Sequence, residues 1–532
     1  MTFDPRIADA VARLPDYLGS HVLVSLTALA LGIAVSFPLA LASARRRALR
    51  AILLAATSIV QTIPGLALLA LFYPLLLGVS ALSERTLGTG FSALGFIPAV
   101  LALTLYSMLP VLRNTITGLT GIDPAVNEAA LGVGMTRGQS LMMVELPLAV
   151  PVIMAGIRTA AVWVIGTATL STPIGQTSLG NYIFSGLQTQ NWVFVLFGCV
   201  AAAVLAIVVD QLLALVESGT RNRKRARVAA GGIGLGLVLL GALVPTFSRP
   251  GATTIIGSKP FGEQYVLAAL IQQRLQAAGL AAARRDGLGS SVILSALAAG
   301  EIDIYVDYSG TIWANAMHRT AAASPDEVLE GVTGWLEQQH GIKLLGKLGF
   351  ENAYALAMPR HRAEALGTSS IDELARYASR LSIAGDYEFF ARPEWVAIRD
   401  SYHLAFREQR QMQAEFMYTA VAAGDIDVIA AYTSDARIAQ YDLVVLADPK
   451  HAIPPYDAIL LVSPRRATDR ALLDALHPLV GAIDVTLMRE ANLRGTGSAG
   501  ASPEAAARWL WSEIERMGTN KRSSRSQVDA GR

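Results

Sequence analysis

Six stretches of this chain, near residues 18–43, 50–79, 95–118, 148–171, 191–216 and 228–247, are apolar over lengths that water does not tolerate. About 20 such residues cross the hydrocarbon of a bilayer as a helix. In that solvent only helices or closed barrels satisfy their own backbones. The first 247 of 532 residues are thereby confined to a helical membrane domain. Pro64-Gly65 falls inside the second run and predicts a kink or break there. The mean hydropathy of +0.42 averages over a split, because residues 253–517 carry the charge, turns and aromatic content of a soluble domain. The opening MTFDPRIADAVARLPDYLGS mixes acids with bases and does not resemble a cleavable signal peptide.

Orientation follows from where arginine and lysine collect, since short cytoplasmic loops are enriched in them. The loop after the first run holds Arg45, Arg46, Arg47 and Arg50, and the loop after the fifth holds Arg221, Arg223, Lys224, Arg225 and Arg227. The loop after the second run has only Glu84 and Arg85, and STPIGQTSLGNYIFSGLQTQN after the fourth has no charge. Alternating six spans puts both basic clusters in the cytoplasm. It leaves the N-terminus and everything after residue 247 outside a cytoplasmic (inner) membrane crossed several times, with lipid as the surrounding partner. Arg113, Arg158 and Asp210 lie near span ends, where snorkelling to the interface is the expectation. GIGLGL at 232–237 has no strand before it, so it predicts close helix packing and not a nucleotide loop.

Composition excludes several chemistries. A net charge of +2, with no basic stripe interleaved with aromatics, gives no sign of nucleic acid as a partner. The single Cys199 forms no internal disulfide, and seven scattered histidines show no metal-ligand spacing. No catalytic triad or paired acids are visible, so an enzyme is not the expectation.

Between the third and fourth spans, on the cytoplasmic side, lies NEAALGVGMTRGQSLMMVELP, residues 127–147. Asp123-Pro124 is a helix-start signal, Gly134 a joint, and Pro147 is expected to close a second short helix. Such helices would offer Glu128, Met135, Arg137 and Met142 to something below the membrane. Glu128-Ala129-Ala130, three residues, Gly134, nine residues, Val144, one residue and Leu146-Pro147 is similar to the EAA loop of ABC-importer permeases. That resemblance implies that the segment, with Glu128, Ala129, Ala130, Gly134, Arg137 and Pro147, docks on a cytoplasmic ATPase subunit. The chain has no GxxxxGK[ST] phosphate loop, so ATP and magnesium are expected in that separate subunit and no cofactor in this one. Because family permeases act in pairs, a homodimer is implied.

After the sixth span, strand-like and helical runs alternate to about residue 517, which indicates an α/β domain. AGEIDIYVDYSG at 299–310 and AGDIDVIAAYTS at 423–434 repeat one pattern, with Tyr308 and Tyr432 in equivalent places. Two matched helix–strand units fit two similar lobes around a cleft, with both tyrosines at the strand ends where ligands of α/β sheets bind. Asp303 and Asp427 of the same repeat are expected to serve turns.

The domain also resembles the binding proteins of glycine betaine, choline and carnitine importers, through IGSKPFGEQ (256–264), GEIDIYVDYSGT (300–311), GFENAYALAM (349–358), AGDYEFFAR (384–392), AAYTSDARI (430–438) and PPYDA (454–458). A trimethylammonium group has no N–H to donate, and aromatic faces attract it through their quadrupole. The resemblance implies an aromatic cage of Tyr308, Tyr354 and Tyr432, with Phe389, Phe390 and Tyr418 as a further wall. It implies polar contacts from Thr311 and Gln264, joined by Ser258 and Lys259.

The expected architecture is a permease-type helical domain over 1–217, a basic loop with an extra span and linker over 218–252, and a type II two-lobed binding domain over 253–517. Its first lobe takes about 253–352 and 450–517 and its second about 353–449, followed by a disordered tail over 518–532. The function read from this is an ATP-driven importer subunit with a tethered outer receptor for quaternary ammonium solutes. Another small solute such as an amino acid, or a sensor that transports nothing, remain alternatives.

Overall fold

The computed structural model describes residues 5–87, 91, 93–188, 191–247, 253–319, 323–386, 388–495 and 502–529. The chain divides into two compact units, one of Met1–Phe184 with Val193–Arg249, the other containing Pro250–Arg532.

The first unit is all helix: α1 (Pro5–Ala44), α2 (Arg47–Thr62), α3 (Gly65–Leu87), α4 (Phe96–Thr120), α5 (Pro124–Gly132), α6 (Arg137–Ser140), α7 (Leu146–Ala168), α8 (Gly180–Gln188), α9 (Trp192–Arg221) and α10 (Arg225–Phe247). Six helical stretches among the described residues are long and apolar enough to cross a membrane: Arg6–Ala44, Gly65–Leu87, Phe96–Thr120, Arg137–Ile174, Trp192–Arg221 and Arg225–Leu243. The second expected run is two helices, and only α3 of them counts as a span. Pro64 forces Ile63 into an extended conformation, which ends α2. The carbonyl that Ile63 exposes at the break is taken by the Tyr106 hydroxyl of α4.

Arg158 on α7 does not snorkel. It makes a bidentate ion pair with Asp210 of α9, both bonds 2.8 Å, and a third contact to Glu217 at 2.9 Å. Two carboxylates one helix away are a closer partner than the interface, and a paired charge in a span costs less than a lone one. Gly234, inside the glycine-rich run of α10, lies where an added Cβ would come within 2.4 Å of a Leu212 methyl of α9, whereas Gly232 and Gly236 have open space, so the close packing expected of the run is confined to Gly234.

The second unit holds β1 (Thr254–Gly257), α11 (Gly262–Ala277), β2 (Ala282–Arg285), β3 (Ile304–Tyr308), β4 (Lys343–Glu351), β5 (Tyr354–Pro359), β6 (Ser382–Gly385), β7 (Glu408–Gln411), β8 (Val428–Tyr432), β9 (Leu443–Val445) and β10 (Asp457–Val462). They form two sheets of one design, ordered β2-β1-β3-β10-β4 and β7-β6-β8-β5-β9. In each, three parallel strands are followed by two antiparallel ones. Central strands β3, β5 and β10 are buried along their whole length, which is why apolar residues dominate them without strict alternation, Asp307 and Asp457 being the charged exceptions. The chain passes between the sheets twice, at Asn352-Ala353 and again between Val445 and Asp457.

The internal repeat is the pair β3 and β8. Its glycines, Gly300 and Gly424, take positive φ (71° and 83°) just past the preceding helix, the left-handed cap that glycine accepts most readily. Asp303 accepts the amide of Ile255 at 2.8 Å, and Asp427 accepts that of Ser382 at 2.7 Å. Each aspartate ties its strand to the adjacent one, and neither faces the cleft.

The C-terminal helix runs from Pro503 to Asp529, so the tail expected to be disordered from 518 is helical as far as the described residues go. Once a helix is nucleated by packed turns, each added residue needs only propagation, and Lys521 to Val528 contains neither proline nor glycine to stop it.

Candidate functional site

Two regions carry chemistry, one in each unit. The membrane unit presents the segment after α4. Asp123 caps α5 by accepting the Ala125 amide at 2.9 Å, with Pro124 at the first helical position. Gly134 holds φ at 86°, and no atom lies within 4 Å of where its Cβ would be, so the backbone alone demands glycine. Thr136 then starts α6 through a reciprocal capping box with Gln139.

Pro147 does not end that helix. Leu141–Glu145 form a π turn, and helix continues through Leu146 into the span. The extra residue in the turn accommodates a proline that lacks an N–H and would clash in a regular helix. Glu128, Ala129, Arg137 and Pro147 are exposed, while Ala130 is buried. Around them Leu131, Val133, Met142, Met143 and Leu148 are also exposed, giving this end of the unit an uncovered apolar face. Buried Glu145 anchors the segment through a 2.9 Å ion pair to Arg45 at the end of α1.

In the second unit a cavity of ≈180 Å³ lies between the two sheets, lined by Lys259, Phe261, Tyr308, Thr311, Asn352, Tyr354, Asp386, Glu388, Arg392, Tyr432 and Tyr456 among others. Tyr308 and Tyr432 sit at the C-terminal ends of β3 and β8, as the repeat predicted. Tyr354 pairs directly with Tyr432 across the ladder, and their ring centroids are 5.0 Å apart. Phe261 stacks over both Tyr308 and Tyr432, each at 6.2 Å. Tyr456 closes the ring, edge-on to Tyr354.

The hydroxyls of all four tyrosines donate to carboxylates: Tyr308 to Glu263 (2.5 Å), Tyr354 to Asp386 (3.0 Å), Tyr432 also to Asp386, and Tyr456 to Glu394. Burial, then the negative neighbours, push these phenols well above their ordinary pKa, although Arg392 opposes the shift at Tyr354. Glu263 is itself fully buried, which raises its pKa against the pull of four donors: Tyr308, Ser434, Asn352 and Asn492.

One wall is cationic. Lys259 pairs with Asp307 and lies 5.5 Å from the Tyr308 ring centroid. Arg392 sits 5.4 Å over the Tyr354 ring and pairs with Glu388 at 2.6 Å. Its Nε and Nη1 have no hydrogen-bond partner among the described residues, so the guanidinium retains donors. Thr311 lines both this cavity and a neighbouring one of ≈650 Å³, which the two share with Ser290, Glu388 and Arg392.

Of the expected site residues, Tyr308, Tyr354, Tyr432, Thr311 and Lys259 line the cavity. The others support it from behind. Gln264 bonds the Tyr308 hydroxyl at 3.1 Å, and Ser258 is turned toward Asp286. Phe389 backs Tyr354 with centroids 5.1 Å apart, and Phe390 packs on Phe389 and Trp395. Tyr418 is fully buried, its hydroxyl accepting the Tyr432 amide. Full burial places Phe389 and Tyr418 in the core, and half-buried Phe390 packs against that core, so none of the three is on the cavity wall. Phe261, Tyr456, Asp386 and Arg392 were missed, although each falls inside a motif quoted for the resemblance. Among the described residues, no group of three or more histidines, cysteines, aspartates or glutamates is arranged to hold a metal.

A six-span helical unit with a glycine-jointed segment between two spans, in one chain with a two-lobed α/β domain, defines a permease that carries its own solute receptor. Residues 32–222 match the family of binding-protein-dependent transport system inner membrane components, and residues 252–512 match the substrate binding domain of ABC-type glycine betaine transport systems. The chain belongs to this family of ABC importers, as a fused permease and binding domain. Members work with a separate ATPase subunit, and the chain is a multi-pass component of the inner membrane. It is 28% identical over 429 residues to an ergothioneine transport permease/ergothioneine binding protein of Helicobacter pylori (strain G27), covering 78% of this chain and 74% of that one. It is 42% identical over 199 residues to a glycine betaine/carnitine/choline transport system permease protein of Bacillus subtilis (strain 168), covering 37% of this chain and 84% of that one. A crystal structure of a glycine betaine/carnitine/choline ABC transporter aligns with a TM-score of 0.44 at 23% identity, over 49% of this chain and 98% of that one.

Proposed function

We propose that the second unit captures a quaternary ammonium solute outside the membrane and delivers it to the spans of a homodimer of this chain. The observation that carries this reading is the ring of Phe261, Tyr308, Tyr354, Tyr432 and Tyr456 around one cavity between two sheets. Each aromatic face would contribute roughly 0.5–2 kcal/mol to a trimethylammonium group, more as water is excluded. Lys259, Thr311 and the open donors of Arg392 would receive the carboxylate or hydroxyl at the other end. ATP with magnesium, bound by the partner ATPase, would act on residues 127–147 through the exposed apolar face around Glu128 and Gly134.

The experiment is a panel of glycine betaine, choline, carnitine and common amino acids titrated calorimetrically against the full chain in lipid nanodiscs. Binding of at least one quaternary ammonium compound and of no ordinary amino acid is the expected result. Binding of an amino acid alone would overturn it.

A second reading within the same class rests on the ≈650 Å³ cavity that adjoins the cage. A betaine with a large side group, such as the ergothioneine named for the H. pylori relative, would place that group there past Thr311 and Ser290. Ergothioneine belongs in the same panel.

A further inference from the structure

The tyrosine hydroxyls around the cavity end on acids, although burial alone does not require this. Buried Tyr106 and Tyr182 in the membrane unit satisfy theirs with backbone carbonyls. A carboxylate is a stronger acceptor than a carbonyl, and it also brings a full negative charge. The charges around the cavity are unequally compensated. Asp307 is neutralised by Lys259, and both Glu388 and Glu394 face Arg392. Glu263 and Asp386 meet no cationic side chain among the described residues.

Glu263 takes hydrogen bonds only from neutral donors: Tyr308, Ser434, Asn352 and Asn492. Asp386 takes them from Tyr354, Tyr432 and the amides of Glu388 and Phe389. A buried charge without a counter-ion is costly, and a site that keeps buried Glu263 and half-buried Asp386 beside three aromatic faces is incomplete until a cation arrives.

We propose that Glu263 and Asp386 are the specificity-determining charges of the cage, holding Tyr308, Tyr354 and Tyr432 from their hydroxyl ends so that the bound cation supplies the missing counter-charge. The acids polarise the phenols toward the ring and add their own field behind the cavity wall. The site then selects a permanent positive charge and not merely the tetrahedral shape of a trimethylated head. This inference rests on the quaternary ammonium reading above.

The test compares each charged ligand with its uncharged-head isostere on the full chain in nanodiscs: choline against 3,3-dimethyl-1-butanol, and glycine betaine against 3,3-dimethylbutanoate. The isosteres keep the shape and replace the ammonium nitrogen with carbon. In Asp386→Asn and Glu263→Gln, affinity for the charged member should fall roughly tenfold, while its isostere changes less than twofold. Asparagine and glutamine still accept the tyrosine protons, so the ring positions are retained. A parallel fall for both members of a pair, as lost packing or misfolding would give, overturns the proposal. So does unchanged discrimination in both variants. A natural chain that binds no quaternary ammonium compound at all would instead remove the ligand class, and this inference with it.

Discussion

Phe261 and Tyr432 face each other with ring centroids 6.2 Å apart and planes within 7° of parallel. Phe261 follows β1 in the first sheet and Tyr432 ends β8 in the second, so the stack joins the two lobes. Two faces this close leave no room for a trimethylammonium group between them. Ligand therefore enters beside the stack or after it parts. On the proposed reading, Phe261 is both a cage wall and a contact that favours the closed arrangement. Phe261→Ala should weaken quaternary ammonium binding by about 1 kcal/mol, roughly fivefold, while Phe261→Tyr keeps most of the affinity. Calorimetric titration of both variants measures this, and an unchanged constant for the alanine variant would take Phe261 out of the site.

Tyr308→Ala and Tyr432→Ala should each cost about 1–2 kcal/mol, five- to thirtyfold in affinity, since each removes a face and leaves a carboxylate without its phenol. Tyr418→Phe should cost much less, because the Tyr418 hydroxyl only supports the Tyr432 amide from inside the core, at 3.2 Å. Equal losses at Tyr418 and Tyr432 would mean that the cavity is not where the solute sits.

The contrast between those tyrosines marks how far the sequence alone could go. Tyr308 and Tyr432 were legible because the repeat places them at equivalent strand ends, and a strand end in an α/β sheet has one functional side. Tyr418 stands on a helix, where which face is buried depends on the sheet beneath it. Nothing local distinguishes a core tyrosine there from a cavity one. Phe261 and Tyr456 lie in loops, and loops are brought together by tertiary contacts that sequence spacing does not encode. The membrane spans were legible from length and apolarity, and the break at Pro64 from backbone sterics. Pro147 went the other way, because a π turn can absorb a proline that would otherwise end a helix, and no residue pattern in LMMVE announces it.

Glu263 links folding stability to pH. Burial raises its pKa above the ordinary value of 4.5. A carboxyl with a raised folded-state pKa contributes stability that is fully present below its unfolded value and lost as pH rises through the folded value. Relative to Glu263→Gln, the natural chain should therefore gain thermal stability as pH falls from neutral toward 4.5, with no further relative gain below that. Scanning calorimetry of the two chains across pH 4 to 8 checks the difference curve. A flat difference would mean that Glu263 titrates alike in the folded and unfolded states.

In the membrane unit, Arg158 holds two acids that the span would otherwise carry unpaired. Arg158→Gln should lower the stability of the unit by about 2–3 kcal/mol, the scale of a lone charge in a helix crossing the bilayer. Asp210→Asn should cost less, because Glu217 still pairs with Arg158. Thermal unfolding in nanodiscs should rank the variants in that order. An Arg158 variant as stable as the natural chain would return the pair to the status of an interfacial contact.

Gly134 and Glu128 separate coupling from binding. Gly134 holds φ at 86° in open space, so a side chain there meets no neighbour, and the cost of Gly134→Ala is the backbone strain alone, about 1 kcal/mol. The relaxed alternative would re-aim α5 relative to the helix that begins at Thr136, and with it the exposed Glu128, Leu131 and Val133. None of these atoms belongs to the solute-binding unit, so solute affinity should be unchanged in Gly134→Ala and Glu128→Ala. Uptake should fall several-fold when either variant is reconstituted with the ATPase subunit in proteoliposomes, and solute-stimulated ATP hydrolysis should fall with it. Full uptake by both variants would mean that the joint between α5 and α6 does not transmit the motion, leaving the π turn at Leu141–Glu145 as the next place to test, because it alone links this segment to the span without a break in the helix.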